Sequence, residues 1–117
     1  MYVDAFVVPV PKKKRREYIR IARIAGKTWR EHGAVHYAEC IADDVKKGKR
    51  TSFPRSVKLK QGETVWCSWI VYRNRRHRDR VNARVMKDSR MVRMMKTPMP
   101  FDIKRMFFGG FKVMVDL

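Results

Sequence analysis

The alternation of apolar and polar positions divides the chain into elements before any other property is considered. Residues Tyr2–Val10, YVDAFVVPV, are dense in valine and aromatic side chains and predict a first strand. Pro9 and Pro11 stop its ladder, and Pro11 suits a helix start, where a backbone N–H has no partner anyway. From Lys12 to His32 the period becomes helical. Tyr18, Ile21, Ala22, Ala25 and Trp29 recur at i, i+3 and i+4 on one face, and Arg16, Arg20, Arg23, Lys27 and Arg30 fill the other. Gly33 closes that helix. Val35–Val45 predicts a second strand, KKGKR a polar turn, and Ser52–Leu59 a short extended piece before a turn at Gln61-Gly62. Glu63–Tyr72 predicts the third strand. A second helix is expected from Asn74, a good side-chain cap, to about Asp88. A methionine-rich turn or helix, SRMVRMM, and a breaker, TPMP, follow it. Lys104–Val115 predicts the last strand, with Gly109-Gly110 marking a bulge or bend.

This order predicts an α+β fold on the ferredoxin-like βαββαβ plan: a four-stranded antiparallel sheet with two helices on one face. In the third strand Trp66, Ser68, Ile70 and Tyr72 alternate with Val65, Cys67, Trp69 and Val71, so both faces are mostly apolar. Two helices cover one face only. A second copy of the sheet is the economical cover for the other, and a homodimer is expected. A chain of 117 residues, 44% hydrophobic, suits a single domain over 1–117 with one core.

Charge adds a second theme. There are 29 Lys and Arg residues against 11 Asp and Glu, a net charge of +18. Such a field attracts polyanions, acidic membranes or acidic small molecules, and says nothing about fold. Nineteen of the 29 lie in the helical stretches 12–32 and 73–96. On the second helix Arg73, Arg76, Arg80, Arg84 and Lys87 group away from Val81 and Val85. Two readings stand side by side. One is a solvated helix surface. The other is a sequence-independent grip on nucleic acid, through Arg16, Arg20, Arg23, Lys27, Arg73, Arg76, Arg80 and Arg84. PKKKRRE places five cations at a helix start, where the macrodipole disfavours each by about 0.3–1 kcal/mol, and Glu17 offsets only part of that. Trp29, Trp66 and Trp69 all sit in patterns that predict burial, which argues against specific single-strand recognition by stacking.

Arg78 and Asn82 depart from the outer row. They lie between Val81, Val85 and Met86, inside the apolar stripe. An inward arginine needs a carboxylate or an anionic ligand, because an unpaired buried charge is very costly. Asp4, Glu39 and Asp102 are the candidate partners. The outcome is either an internal salt bridge that ties helix to sheet, or the polar floor of a pocket for a small polar or anionic ligand. Trp66, Trp69, Tyr37 and Tyr72 are the candidate walls of such a pocket.

Other chemistry finds little support. His32, His36 and His77 have no metal-ligand spacing, and neither a metal nor a cofactor is expected. There is no glycine-rich phosphate loop and no Gly-x-Ser-x-Gly elbow. His36 and Cys40 share a strand face but stand about 13 Å apart at normal rise, too far to activate a thiolate. Cys40 and Cys67 are expected as reduced thiols. The start MYVDAFVVPV lacks the pattern of a secretory signal, and no apolar run approaches the ~20 residues that span a bilayer, so a cytoplasmic location is expected.

Several multi-residue blocks, in order, are familiar: YVDAFVVPVP, WREHGAVHYAEC, DDVKKGKRTSFPRSVKL, ETVWCSWIVYRNRRHRDRVNARVM and MPFDIKRMFFGGF. Together they resemble the YbaA-like family of small bacterial proteins over nearly the whole chain. That family is similar to the dimeric α+β barrel proteins, relatives of antibiotic-biosynthesis-type monooxygenases, so the resemblance implies a ferredoxin-like homodimer. It carries over no catalytic residue. The helices here hold more Lys and Arg than the resemblance leads one to expect. A bacterial likeness also gives no support to PKKKRRE as a nuclear-localisation signal, which it imitates. Barrel relatives that act on haem or aromatic polyketides line a pocket with Asn, Trp and His from strand one, strand three and the second helix. Trp66 and His77 stand on similar elements here, but Asp4 replaces the amide. A cofactor-independent monooxygenase or haem-handling enzyme is therefore an alternative by analogy, and whether the protein is an enzyme stays open.

Overall fold

Strand β1, Tyr2–Pro11, runs between β3, Glu63–Tyr72, and β4, Phe107–Lys112, while β2, His36–Ile41, lies beyond β3. A computed structural model describes residues 1–117. The order β2-β3-β1-β4 is antiparallel at every step, with Tyr2 opposite both Tyr72 and Lys112. The two long strands that are apolar on both faces thus take the centre, and the two shorter ones form the edges. Four helices complete the α+β fold: α1, Arg15–Glu31, after a 3-10 turn at Lys12–Lys14; α2, Phe53–Ser56; α3, Arg75–Lys87; and α4, Ser89–Met95.

The helical face of the sheet is made by Phe6, Val8 and Val10 of β1 with Trp66, Ile70 and Tyr72 of β3, side chains that alternate to one side. Helix α1 buries Tyr18, Ala22 and Ala25 there, as its apolar period predicts. Val81 and Val85 of α3 and Met91 of α4 join Tyr2, Ile70 and Tyr72 in one cluster, and Val8, Val10 and Trp66 close around Tyr18 in another. The Asn74 side chain caps α3 by accepting the His77 N–H at 2.8 Å, an arrangement worth about 1 kcal/mol.

The far face is covered at one end only. Val57, just after α2, packs on Val7 and Val65, so the segment between β2 and β3 folds beneath that end. Val3, Ala5, Cys67, Trp69 and Val71 stay half-buried, and Phe107 and Phe111 of β4 are exposed. No lysine or arginine of the strands points to this side.

Several expectations need correction. The second strand ends at Ile41, not Val45, because Asp43, Asp44 and the lysines that follow offer no apolar alternation to bury. Ser52–Leu59 is not extended: Ser52 Oγ accepts the Arg55 N–H at 3.1 Å and Pro54 sits in the first turn, so capping chemistry closes a helical turn. The last strand is shorter than expected, since Lys112 already lies opposite Tyr2 at the start of β1. Gly109 and Gly110 make no bulge; the register with Ala5 and Asp4 is continuous. Gly110 has a different cause, because a Cβ there would fall on the Tyr2 ring. SRMVRMM forms a full helix, α4, capped by Asp88, and adds a third helix to the face on which two were expected.

A carboxylate in an apolar cleft as the candidate functional site

Alternation along the edge strand β2 turns Tyr37, Glu39 and Ile41 toward the helices, and places Glu39 directly opposite Ser68. Helix α1 crosses above. The Tyr18 hydroxyl donates to Glu39 Oε1 at 2.8 Å, and the Tyr37 hydroxyl donates to Oε2 at 2.7 Å. The buried Ser68 faces the same carboxylate from the neighbouring strand. No lysine, arginine or histidine pairs with this carboxylate; the ion pairs of the protein lie elsewhere. Burial raises the Glu39 pKa above the ordinary carboxylate value, and the hydroxyl bonds only oppose that rise. Burial, and then the Glu39 charge, hold the Tyr18 and Tyr37 hydroxyls far above their usual pKa, so both remain proton donors at neutral pH.

Glu39 borders a cleft of about 170 Å³ between sheet, α1, α4 and residues 99–106. Phe6, Ile70 and Trp29 wall one side, and Met91, Met94, Met99 and Met106 approach from the other. Glu39 and Ser68 are its polar groups, together with the tyrosine hydroxyls bound to Glu39. Its volume is close to the ~150 Å³ that receives one benzene ring, and a wall of methionines adapts its shape readily. A second recess, between α1 and the edge strand, reaches the same carboxylate past Tyr37, Ile41 and Trp66, with Arg23 at its rim. Gly26 makes this arrangement possible: a Cβ there would lie 2.8 Å from Tyr37 Cδ1. The Tyr37 ring therefore packs flush against α1 and aims its hydroxyl at Glu39.

The other expected site residues have different places. Arg78 Nη1 meets Asp4 Oδ1 at 2.6 Å, Arg78 Nε meets Asp79 at 2.7 Å, and the guanidinium lies 4.9 Å from the centre of the Tyr2 ring. Asn82 Oδ1 accepts from Trp29 Nε1–H and from the Tyr72 hydroxyl, each at 3.0 Å. Two separate contacts, Arg78 with Asp4 and Asn82 with Tyr72, thus hold α3 to the sheet, and Asn82 also ties it to Trp29 of α1; none of Arg78, Asn82, Asp4 and Tyr72 lines the cleft. Asp102 pairs with Arg105 at 2.9 Å, and Arg105 also binds Glu63 at 2.6 Å, clasping the start of β3 to the loop before β4. Trp69 lies on the far face. Trp66 packs on Tyr18 with ring centres 4.8 Å apart and borders the second recess. Of the expected set, Glu39 and Tyr37 come together at the cleft, with Trp66 next to them.

Tyr18 and Ser68 were not among the expected site residues. Tyr18 has the spacing of a core residue, which it is, and nothing local marks where its hydroxyl points. Ser68 carried a weak signal, as a small polar residue between Trp66 and Ile70 on the helical side of β3. His77 Nδ1 accepts the Arg73 N–H at 3.0 Å, and burial followed by Arg73, Arg80 and Arg84 lowers its pKa. It lines neither recess. Arg16, Arg20, Arg23, Lys27, Arg73, Arg76, Arg80 and Arg84 are all exposed and outside every ion pair. No three metal-ligating side chains come together, and no helix is long and apolar enough to cross a membrane.

Residues 1–103 match the model of a family described as protein of unknown function (DUF1428). Over 115 residues the chain is 44% identical to the uncharacterized protein YbaA of Escherichia coli K12, covering 98% of this chain and 97% of that one. The uncharacterized protein YbaA of Shigella flexneri matches to the same extent, 44% over 115 residues.

Proposed function

We propose that this chain, which belongs to the DUF1428 family, is a small-molecule-binding protein whose cleft takes a compact, largely apolar ligand through one cationic or hydrogen-bond-donating group set against Glu39. The observation that carries this reading is a carboxylate held by hydroxyls alone at the floor of an apolar cleft, in a protein with 29 cationic side chains. A carboxylate that is half-buried among apolar side chains without a cation is costly, and a ligand donor reduces that cost. Arg78 and Asn82 are less suited to anchor an anionic ligand, since their polar groups already have partners within the fold. If the ligand carries a labile proton, Glu39 has the raised pKa of a general base. The oxygenase alternative draws less support, because His77 and Asp4 are engaged away from the cleft.

The architecture of this reading is a single ferredoxin-like domain that dimerises as an α+β barrel. The strand order β2-β3-β1-β4 supports the first part. The second rests on the uncovered apolar face, where Val3, Trp69, Val71, Phe107 and Phe111 share the sheet surface with no lysine or arginine of the strands. Two copies that each carry +18 repel, and the face whose strands present no lysine or arginine is where that repulsion is weakest. Free Cys40 and Cys67 fit a reducing cytoplasm.

The ligand reading is tested with benzylamine, phenol and benzoate as probes, following the melting temperature and the tryptophan fluorescence of the full chain. Benzylamine or phenol should stabilise the protein, and benzoate should not. Glu39→Gln should erase that order of preference. Equal binding of benzoate, or an unchanged preference in the variant, would remove Glu39 from recognition.

A further inference from the structure

We infer that the outer side of the helical layer is a docking surface for the phosphate backbone of duplex nucleic acid, engaged without regard to sequence. The inference is independent of the cleft and its ligand. It starts from which charges the fold neutralises. Arg78, Arg90 and Arg105 are the only three of the 29 lysine and arginine side chains held in ion pairs. The acids of the helical layer are engaged by two of these: Asp79 by Arg78, and Glu31 and Asp88 by Arg90. Glu17 is the remaining acid among α1, α3 and α4. Against it stand exposed rows, Arg16, Arg20, Arg23, Lys27 and Arg30 on α1 and Arg76, Arg80, Arg84 and Lys87 on α3.

The rows are also placed as a surface. The molecule measures 38 × 37 × 21 Å, with the thin dimension that of one sheet plus one helical layer. One broad side is the largely apolar sheet face, and the other is the cationic helical layer. Positions 16 to 30 of α1 span about 21 Å at the helical rise, the length of about six phosphates along one strand of a duplex. Most of these cations are arginine, whose planar donors match phosphate oxygens in pairs. Two observations favour a duplex backbone over other polyanions. The tryptophans are buried or turned away from this side, and the exposed Phe108 stacks on Phe6 at the edge strand β4, so the rows on α1 and α3 carry no aromatic platform for unpaired bases. The apolar face of α1 is spent on the sheet, and its outward face carries no large apolar side chain; the exposed Met86 of α3 and Val92 and Met95 of α4 are single side chains set among arginines and lysines, not the continuous apolar face with which a helix enters a lipid surface.

The test uses the full chain and a fluorescent duplex of about 30 base pairs, read by anisotropy across a potassium chloride series. Binding is expected at low salt, equal for two unrelated sequences, with affinity falling by about the fourth power of salt concentration or more steeply. Arg16→Glu with Arg20→Glu, and separately Arg80→Glu with Arg84→Glu, should each weaken binding by about tenfold or more. Lys46→Glu with Lys49→Glu makes the same change in net charge on the loop whose Lys47 and Gly48 carbonyls are tied to Arg55 of α2, away from the helical layer. That pair should cost less than about threefold. Arg16→Gln with Arg20→Gln is the milder version if a glutamate pair fails to fold. No binding at low salt would overturn the inference, as would equal losses in all three pairs. So would tighter binding to phosphatidylserine vesicles than to the duplex, lost with the same α1 pair.

Discussion

Asp4 and Arg78, 74 residues apart in the chain, meet at 2.6 Å between the central strand and α3. Asp4 is 4% exposed, so removal of its partner strands a carboxylate where water barely reaches. Arg78→Ala should destabilise the protein by about 3–5 kcal/mol in urea unfolding at pH 7. The double change Asp4→Ala with Arg78→Ala should cost clearly less than the sum of the two single changes, because the stranded charge leaves with its partner. Additive losses would mean that the two side chains are not coupled.

Gly26 fits beneath the Tyr37 ring only because it has no Cβ. In most helices Gly→Ala gains about 1 kcal/mol. Here the added atom would lie 2.8 and 2.9 Å from the ring carbons, and such overpacking costs about 1–3 kcal/mol. Gly26→Ala should therefore be destabilising, and should weaken probe binding by moving the Tyr37 hydroxyl off Glu39. In a Tyr37→Leu background the same substitution should turn stabilising. A thermal melt of the four proteins decides the sign.

The elevated pKa of Glu39 sets a direction for stability against pH. Below the ordinary value of 4.5 the group is neutral, folded or unfolded, and contributes nothing. As pH rises from 4.5 toward the folded pKa the unfolded chain ionises first, so stability falls, and above the folded pKa the penalty is constant. Glu63, Asp88 and Asp102 have lowered pKa values, chiefly through Arg105 or Arg90, and act in the opposite sense, losing stability as pH falls. The informative quantity is the difference between Glu39→Gln and the parent protein. It should grow in favour of the variant from pH 4.5 upward and then level off, as read from chemical unfolding at a series of pH values.

Cys40 and Cys67 face each other across β2 and β3, both as free thiols. The Ala42 N–H donates to the Val65 carbonyl at 3.0 Å, and by alternation the two cysteines form a hydrogen-bonded pair, with Cα atoms about 5.5 Å apart. A disulfide wants Cβ atoms about 3.8 Å apart, which this kind of pair does not offer without distortion. Mild oxidation should leave two titratable thiols. Cys67 should react the more slowly at neutral pH, since burial and then the nearby Cys40 raise its pKa. A disulfide between the two in mass spectrometry would contradict the pairing.

Taken by itself, the amino-acid order determined whatever depends on period or on a neighbour a few residues away. Tyr18, Ala22 and Ala25 had to share a face of α1, Asn74 had to cap α3, and Val65–Tyr72 had to be greasy on both sides. The inward Arg78 was legible for the same reason, and Asp4 stood among its three possible partners. Edges were legible less well. β2 and β4 end where pairing with β3 and β1 ends, and Ser52–Leu59 obeyed a cap and a proline over its extended pattern.

The tertiary structure alone decided the cleft. A glutamate on an edge strand is ordinarily a solvated residue, and nothing near position 39 in the sequence says otherwise. The register that sets Ser68 across from it, the passage of α1 that lowers Tyr18 onto it, and the missing Cβ of Gly26 together strip it of much of its water. Desolvation is a property of everything packed around a group, summed over distant segments, so it emerges only when those segments meet.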